Sequence, residues 1–157
     1  MSLSQRLNRV QEDITRASRQ ANRDVDSVRL IAVSKTRSPE DIEEAVRLGH
    51  LEFGENYAQE LRDKAKSLGE KHPAIRWHYI GRIQRNKAKY IAPNAYRIHT
   101  LENSDQASAL LKRAPNGIDA LLHVSDLSHG RVKRPSDLVT IGQKIKVKIT
   151  KIDNKTN

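Results

Sequence analysis

The sequence contains no cysteine, which excludes disulfide bonds, thiolate metal sites and a cysteine nucleophile. It also lacks a continuous apolar run near its start, because residues 1–24 alternate charged and apolar side chains. That pattern argues against a signal peptide and a membrane-spanning helix. At 157 residues the chain is too short for a complete eight-stranded parallel barrel, which takes about 250 residues. We therefore expect a cytoplasmic protein with one ordinary domain, or one domain and a small appendage.

Positive charge is what the sequence has in excess. Basic residues outnumber acidic ones by 29 to 19, which gives a net charge of +10. The excess is densest near the end, where residues 117–157 hold 8 basic and 4 acidic side chains. Such charge attracts polyanions such as nucleic acid, but it also simply keeps a small protein dispersed in water. Both interpretations stay open on charge alone.

The first 116 residues alternate strand and helix patterns. An amphipathic helix over residues 3–22 comes first, and the next helix opens with the cap Ser38 and Pro39 and ends at Gly49. The predicted strands cover residues 28–33, 51–54, 75–80 and 96–101, and the later helices cover residues 58–68, 83–91 and a segment capped by Asn103. Short β-then-α units imply right-handed crossovers and a parallel sheet. We predict an α/β fold, a parallel four-stranded βα half barrel.

Beyond Gly117 the rhythm changes to strands without helices. Residues 119–125 have a strand pattern, residues 127–138 are irregular, and residues 144–152 alternate apolar and polar side chains. In that last strand one face is apolar and the other carries Lys144, Lys146 and Lys148. We predict a boundary at about residue 116, which divides the chain into residues 1–116 and 117–157.

Lys35 is the candidate reactive residue. It follows the apolar strand that ends at Val33, and parallel α/β barrels gather their functional groups at that end of their strands. An amine beside low-dielectric strands can attack an aldehyde and form an imine. The alternative is a solvated lysine at a strand end, which is a common arrangement.

Polar and aromatic side chains follow the next strands at the same edge. Asn56, Tyr57 and His78 offer hydrogen bonds and ring contacts to a flat heteroaromatic ligand. Each of them also has a structural interpretation, since Asn56 can cap a helix and His78 can bond to the backbone. Together with Lys35 they indicate a pocket.

Four motifs carry a family resemblance. They are the AVSK strand at 32–35, FGENY-x-QE at 53–60, WHYIG-x-IQ-x-NK at 77–87 and the IHT strand at 98–100. Residues from about 28 to 114 thereby resemble the pyridoxal phosphate homeostasis protein family, whose fold is similar to the alanine racemase N-terminal barrel. The resemblance implies that Lys35 holds pyridoxal phosphate as an imine, with Asn56 and His78 in the pocket around it.

The resemblance also sets the expected activity. Members of the family are cofactor carriers that influence vitamin B6 and amino-acid balance without an established turnover, so we assign no enzyme activity. The family's phosphate-binding cup belongs to the later strands of the barrel, which this sequence does not continue. We therefore expect cofactor binding to be impaired, because a phosphate is normally held by backbone N–H groups at a helix N-terminus.

The last 41 residues resemble a different module. The run GIDALLHVSDLS from Gly117 and the strand VKITKID from Val147 are similar to the latter part of the ribosomal-protein-S-one type RNA-binding module, an OB-fold barrel. The resemblance implies that His123 and Asp153 lie on an RNA-facing surface. The basic side chains would supply phosphate contacts, and they are Arg131, Lys133, Lys144, Lys146 and Lys148. Because the first strands of that module and their stacking aromatics are missing, we expect weak, salt-dependent RNA binding.

Three hypotheses follow. The first is a pyridoxal-phosphate-binding protein that uses Lys35, the second is an RNA-binding protein that uses the basic end, and the third is a folded chimera with neither activity. A half barrel also leaves an apolar face and an open sheet edge. The strands after residue 117, or a second copy of the chain in a homodimer, are the candidates to cover them.

Overall fold

The computed structural model describes residues 1–114 and 119–122. Its α-helices are α1 (Leu3–Gln20), α2 (Pro39–Arg47), α3 (Ala58–Leu68), α4 (Ala88–Ile91) and α5 (Ser104–Leu111). Its strands are β1 (Ala32–Val33), β2 (Glu52–Glu55), β3 (Arg76–Tyr79), β4 (Arg97–Leu101) and β5 (Asp119–Leu122). Short 3₁₀ turns occupy Val25–Ser27 and Arg85–Lys87. None of the helices described is long and apolar enough to span a bilayer.

The strands within residues 1–114 and 119–122 are all parallel and stand in the order β1-β2-β3-β4-β5. Each strand therefore pairs with the one next to it in sequence, and helical segments fill the connections, which confirms the predicted α/β fold. The four predicted strands are present, and β5 adds a fifth beside β4. β5 begins at Asp119, as the strand pattern predicts, and pairs with β4 although it lies beyond the predicted boundary.

Helix starts follow the capping residues in the sequence. Ser38 accepts a hydrogen bond from the Asp41 backbone and Pro39 takes the first helical position of α2. Gly49 closes that helix with a φ of +87°, a conformation that side-chain-bearing residues rarely adopt. At α5 the side chain of Asn103 accepts a hydrogen bond from the backbone of Gln106, as predicted.

The hydrophobic core lies between the helices and one face of the sheet. Its side chains from the sheet are Phe53, Trp77, Tyr79 and Ile98, and its largest side chains from the helices are Ile42, Leu61, Leu68, Ile91 and Leu110. Trp77 is thus a core residue. Because side chains alternate along a strand, Val33, Gly54 and His78 lie on the opposite face. The candidate site belongs to this second face.

Candidate functional site at the carboxyl edge of the sheet

Lys35 lies immediately beyond the carboxyl end of β1, and its side chain is exposed. It occupies a turn in which the backbone N–H of Arg37 donates to the carbonyl of Ser34 at 3.0 Å. Its neighbour Thr36 has a φ of +61°, a left-handed conformation that costs a β-branched residue on the order of 1–3 kcal/mol. Strain of this kind persists only where the surroundings hold it.

The strand register fixes the position of only one predicted site residue. Val33, Gly54 and His78 are register partners across β1, β2 and β3. Lys35 lies in the turn that follows β1, and Asn56 lies in the bend that follows β2. Both residues therefore come after the carboxyl ends of adjacent strands, whereas His78 lies within β3.

The side chain of Asn56 has a hydrogen-bond acceptor without a partner in the described structure, near the carboxyl edge of the sheet. Its side chain is half-buried, and its Oδ1 is shielded from solvent without a hydrogen-bond partner among the described residues. The loop after β3 packs closely against the backbone of Asn56. There is no room for a side chain at Gly81, because a Cβ added there would lie 1.9 Å from the Asn56 carbonyl oxygen. Gly81 is itself held by Thr100, whose hydroxyl donates to its carbonyl at 2.6 Å.

His78 is the centre of a polar chain on the same face. Its Nε2 is hydrogen-bonded to Glu52 Oε2 at 2.6 Å and its Nδ1 to Nε2 of His99 at 2.8 Å. The ring is buried and packs edge-on against Tyr96 at 5.8 Å. Because both ring nitrogens have partners, a direct hydrogen bond from His78 to a ligand requires one of these bonds to break.

Electrostatics define the charge along this chain. Burial would raise the pKa of Glu52, but hydrogen bonds from His78 and Arg76 outweigh burial and lower its pKa. Burial lowers the pKa of His99, and the neighbouring His78 and Arg97 lower it further. A carboxylate at Glu52 and a neutral imidazole at His99 are the forms that these shifts favour near neutral pH.

A second lysine lies behind β1, on the helix side of the sheet. Lys64 on α3 is buried, and its Nζ donates to the Ser34 carbonyl at 2.7 Å, to Glu55 Oε1 at 2.8 Å and to Glu60 Oε2 at 2.9 Å. An ammonium group has three N–H donors, and these acceptors engage all of them. The donors of Lys64 are therefore all engaged within the protein, whereas the side chain of Lys35 is exposed to solvent.

The predicted site residues lie at or near the carboxyl edge of the sheet. Lys35 and Asn56 follow β1 and β2, His78 is buried within β3, and Tyr57 is 55% exposed. The sequence does not predict the hydrogen-bonded chain from His99 through His78 to Glu52, nor the cluster around Lys64. The FGENY-x-QE motif does contain Glu55 and Glu60 of that cluster. The residues predicted for RNA contact lie outside the described part of the chain.

The fold and this edge define a class: a parallel βα segment of a TIM-like barrel with an exposed lysine in the turn that follows its first strand. Among solved structures, an unknown protein from Bifidobacterium adolescentis superposes with a TM-score of 0.65 at 31% identity, covering 70% of this chain and 48% of that one. PipY of Synechococcus elongatus, solved with PLP bound, has a TM-score of 0.53 at 33% identity and covers 63% and 46%.

Curated relatives give the family. The pyridoxal phosphate homeostasis protein of Buchnera aphidicola subsp. Baizongia pistaciae is 35% identical over 155 residues, which is 98% of this chain and 67% of the relative. The protein of the same name from Pasteurella multocida is 33% identical over 150 residues, 92% of this chain and 64% of the relative. The chain belongs to the pyridoxal phosphate homeostasis protein family, and it spans about two thirds of the length of these relatives.

The end of the chain matches another family model. Residues 110–157 match the S1 RNA binding domain, in agreement with the resemblance seen from residue 117 onward. This match overlaps the alignment with the Buchnera relative, which reaches 98% of the chain. The two similarities therefore share the last part of the sequence.

Proposed function

We propose that this chain binds pyridoxal phosphate through the amine of Lys35 and acts as a carrier of the cofactor. The observation that carries the proposal is the position of Lys35, an exposed amine directly beyond β1, in a family whose structural relative PipY was solved with PLP bound. Lys64 does not compete, because its donors are engaged. The proposal includes no catalysed reaction.

The residues around Lys35 fit such a ligand. The cofactor supplies an aldehyde, which condenses with a lysine amine, releases one water and leaves the cofactor covalently attached. Asn56 offers a shielded oxygen that lacks a partner in the described structure, and a buried acceptor of this kind gains from a ligand donor. We assign Asn56 and His78 to the pocket, Asn56 as a direct contact and His78 as its floor.

Trapping the covalent bond tests the proposal. The full chain is incubated with pyridoxal phosphate, reduced with borohydride and digested, and the adducts are mapped by mass spectrometry. We expect the adduct on Lys35, its loss in Lys35→Arg, and its retention in Lys66→Arg, which changes an exposed lysine on α3. Labelling spread over many lysines, or unchanged in Lys35→Arg, would refute the assignment.

A second candidate function, RNA binding, is favoured by the S1 match of residues 110–157. We propose weak binding of single-stranded RNA through the basic residues predicted there, among them Lys144, Lys146 and Lys148. Binding through phosphate contacts weakens steeply as salt rises. We expect a triple change of these lysines to Glu to reduce both affinity and salt dependence. The same change at three exposed lysines of the barrel segment, Lys66, Lys71 and Lys89, serves as the control. Equal losses of RNA affinity in both variants would contradict binding through Lys144, Lys146 and Lys148.

Three further assignments belong to the same proposal. We place the protein in the cytoplasm, set the boundary between its two segments at about residue 116, and propose a homodimer that covers the sheet face opposite the helices. Val33 supports the dimer, because this apolar side chain on that face remains 53% exposed.

A further inference from the structure

The backbone on both sides of Lys35 is bonded to a cluster formed by the buried Lys64 and Glu55 and the half-buried Glu60. On the strand side, the Ser34 hydroxyl donates to Glu55 Oε1 at 2.6 Å and the Ser34 carbonyl accepts from Lys64. On the other side, the backbone N–H of Thr36 donates to Glu60 Oε2 at 2.8 Å. The segment from Ser34 to Thr36 is thus fastened at both ends, while the side chain between them is exposed.

The cluster is built to be rigid. Glu55 is fully buried and Lys64 is 8% exposed at its side chain, so this ion pair is shielded from water and salt. Both Ser34 and Glu60 attach to the same ammonium group, which couples the two ends of the turn to one point on α3. A buried pair of this kind tolerates little movement, because losing one partner leaves an unpaired charge.

The conformation of Thr36 gives the second observation. Its φ of +61° is one of only two left-handed conformations at a non-glycine residue in the described chain, and Glu60 bonds the N–H of this residue. Without that bond the turn is free to relax to an ordinary conformation, and the Cα of Lys35 moves with it. Glu60 therefore holds the backbone of Thr36, the residue that follows Lys35, through a hydrogen bond.

We propose that Glu60 is a positioning residue for Lys35, with Lys64 and Glu55 as its support. The cluster does not touch the cofactor. It fixes the backbone that presents the amine, so that the amine meets the aldehyde in a reactive geometry, a requirement where small misplacements cost large factors in rate. This inference rests on the proposed function of Lys35.

The test measures how fast Lys35 reacts. The full chain is mixed with pyridoxal phosphate at several concentrations, quenched with borohydride at intervals, and the Lys35 adduct is quantified by mass spectrometry. This gives a limiting rate and a half-saturating concentration. For Glu60→Ala we expect the limiting rate to fall by roughly tenfold or more, with little change in the half-saturating concentration. Glu60→Gln keeps an acceptor for the Thr36 N–H and should restore most of the rate.

Two variants separate positioning from general stability. Glu43→Ala removes a carboxylate of similar exposure that pairs with Lys71 and His72 instead, and it should leave the limiting rate unchanged. Thr36→Pro leaves the ion pair of Lys64 and Glu55 intact but removes the N–H that Glu60 accepts and fixes φ at about −65°, so the observed turn cannot form and the reaction should slow as in Glu60→Ala. If Glu60→Ala no longer melts cooperatively, the rate of Thr36→Pro tests the positioning role.

The outcomes distinguish this inference from the proposed function. A parent rate at Lys35 in both Glu60→Ala and Thr36→Pro would overturn the positioning role and leave the cofactor assignment intact. A loss of rate in Glu60→Ala that Glu60→Gln does not restore would also overturn it, because the acceptor would then not be what matters. Absence of an adduct on Lys35 in the parent chain would refute the proposed function itself.

Discussion

Glu52 and His99 occupy opposite ends of the hydrogen-bonded chain through His78, and both respond to acid in the same direction. The pKa of Glu52 is lowered because His78 and Arg76 bond its carboxylate against the effect of burial. The pKa of His99 is lowered mainly by burial, with His78 and Arg97 adding to it. In each case the unfolded chain takes up a proton at a higher pH than the folded chain does. Folding stability therefore falls as the pH falls.

The expected pH profile has two windows. His99 contributes a loss of stability as the pH falls from about its ordinary pKa of 6.5 toward its lower folded value. Glu52 contributes a further loss below about 4.5. The change His99→Gln keeps a donor for His78 but removes the titration, so urea denaturation from pH 7 to 5 should show a flatter profile.

A His99→Gln profile as steep as that of the parent would assign the acid response to other groups.

Single side chains of the site divide into those that the sequence predicts and those that it does not. Lys35 and Asn56 are predicted because each directly follows a strand, and strand ends are readable from apolar runs and motifs. The partner of Glu60 is not predicted, because Lys64 has the surface-like sequence context of an ordinary helix lysine. Lys64 is buried because α3 packs behind β1, and this tertiary packing cannot be predicted from the local sequence.

Among the elements, the loop between β3 and α4 is held by side chains rather than by regular structure. The carbonyls of Gly81, Arg82 and Ile83 accept hydrogen bonds from Thr100, Tyr79 and Gln106 respectively. These bonds keep the chain extended through Gln84, so the predicted helix over residues 83–91 is wrong in its first half. A 3₁₀ turn begins only at Arg85 and α4 only at Ala88.

The close approach of this loop to β2 makes a prediction for Gly81. In Gly81→Ala the new Cβ meets the Asn56 carbonyl oxygen at 1.9 Å, and backbone atoms cannot rotate aside. We expect a loss of about 1–3 kcal/mol or more in the free energy of unfolding, measured by urea denaturation. Lys35 labelling by pyridoxal phosphate should also fall, because Asn56 is displaced.

Gly54→Ala is the matched change for that experiment. Its Cβ meets methyl groups of Ile80 and Ile31 at 3.0 and 3.1 Å, and side chains of this kind shift more easily than a carbonyl. The destabilisation should be clearly smaller than in Gly81→Ala. Equal losses in the two variants would contradict the role given to the contact between Gly81 and Asn56.

Element boundaries show where sequence patterns succeed. The prediction for α3 matches its observed bounds, Ala58–Leu68, because Gly69 and the preceding strand delimit it. Strand β1 is shorter than the predicted run over residues 28–33, because only Ala32 and Val33 pair with β2.

For the whole molecule, the proposed homodimer makes a prediction about its mass. A homodimer through the face opposite the helices has a mass twice that of the 17.8 kDa chain, measurable by light scattering on a sizing column. Val33→Glu places a charge on that face and should weaken the dimer at least about tenfold, since an unpaired charge in an interface is costly. Val10→Glu, at a 41% exposed position on α1, should leave the mass unchanged. A monomeric parent chain would refute the dimer.

The linear strand order has a consequence for synthesis. Because every strand pairs with its immediate neighbour in sequence, each contact in the sheet closes over a short stretch of chain. Pairing of neighbouring strands closes a loop of only one helical connection, and chains fold from the amino terminus as they leave the ribosome. Each new βα unit emerges beside a finished strand, so this sheet can grow one strand at a time in the order in which it is translated.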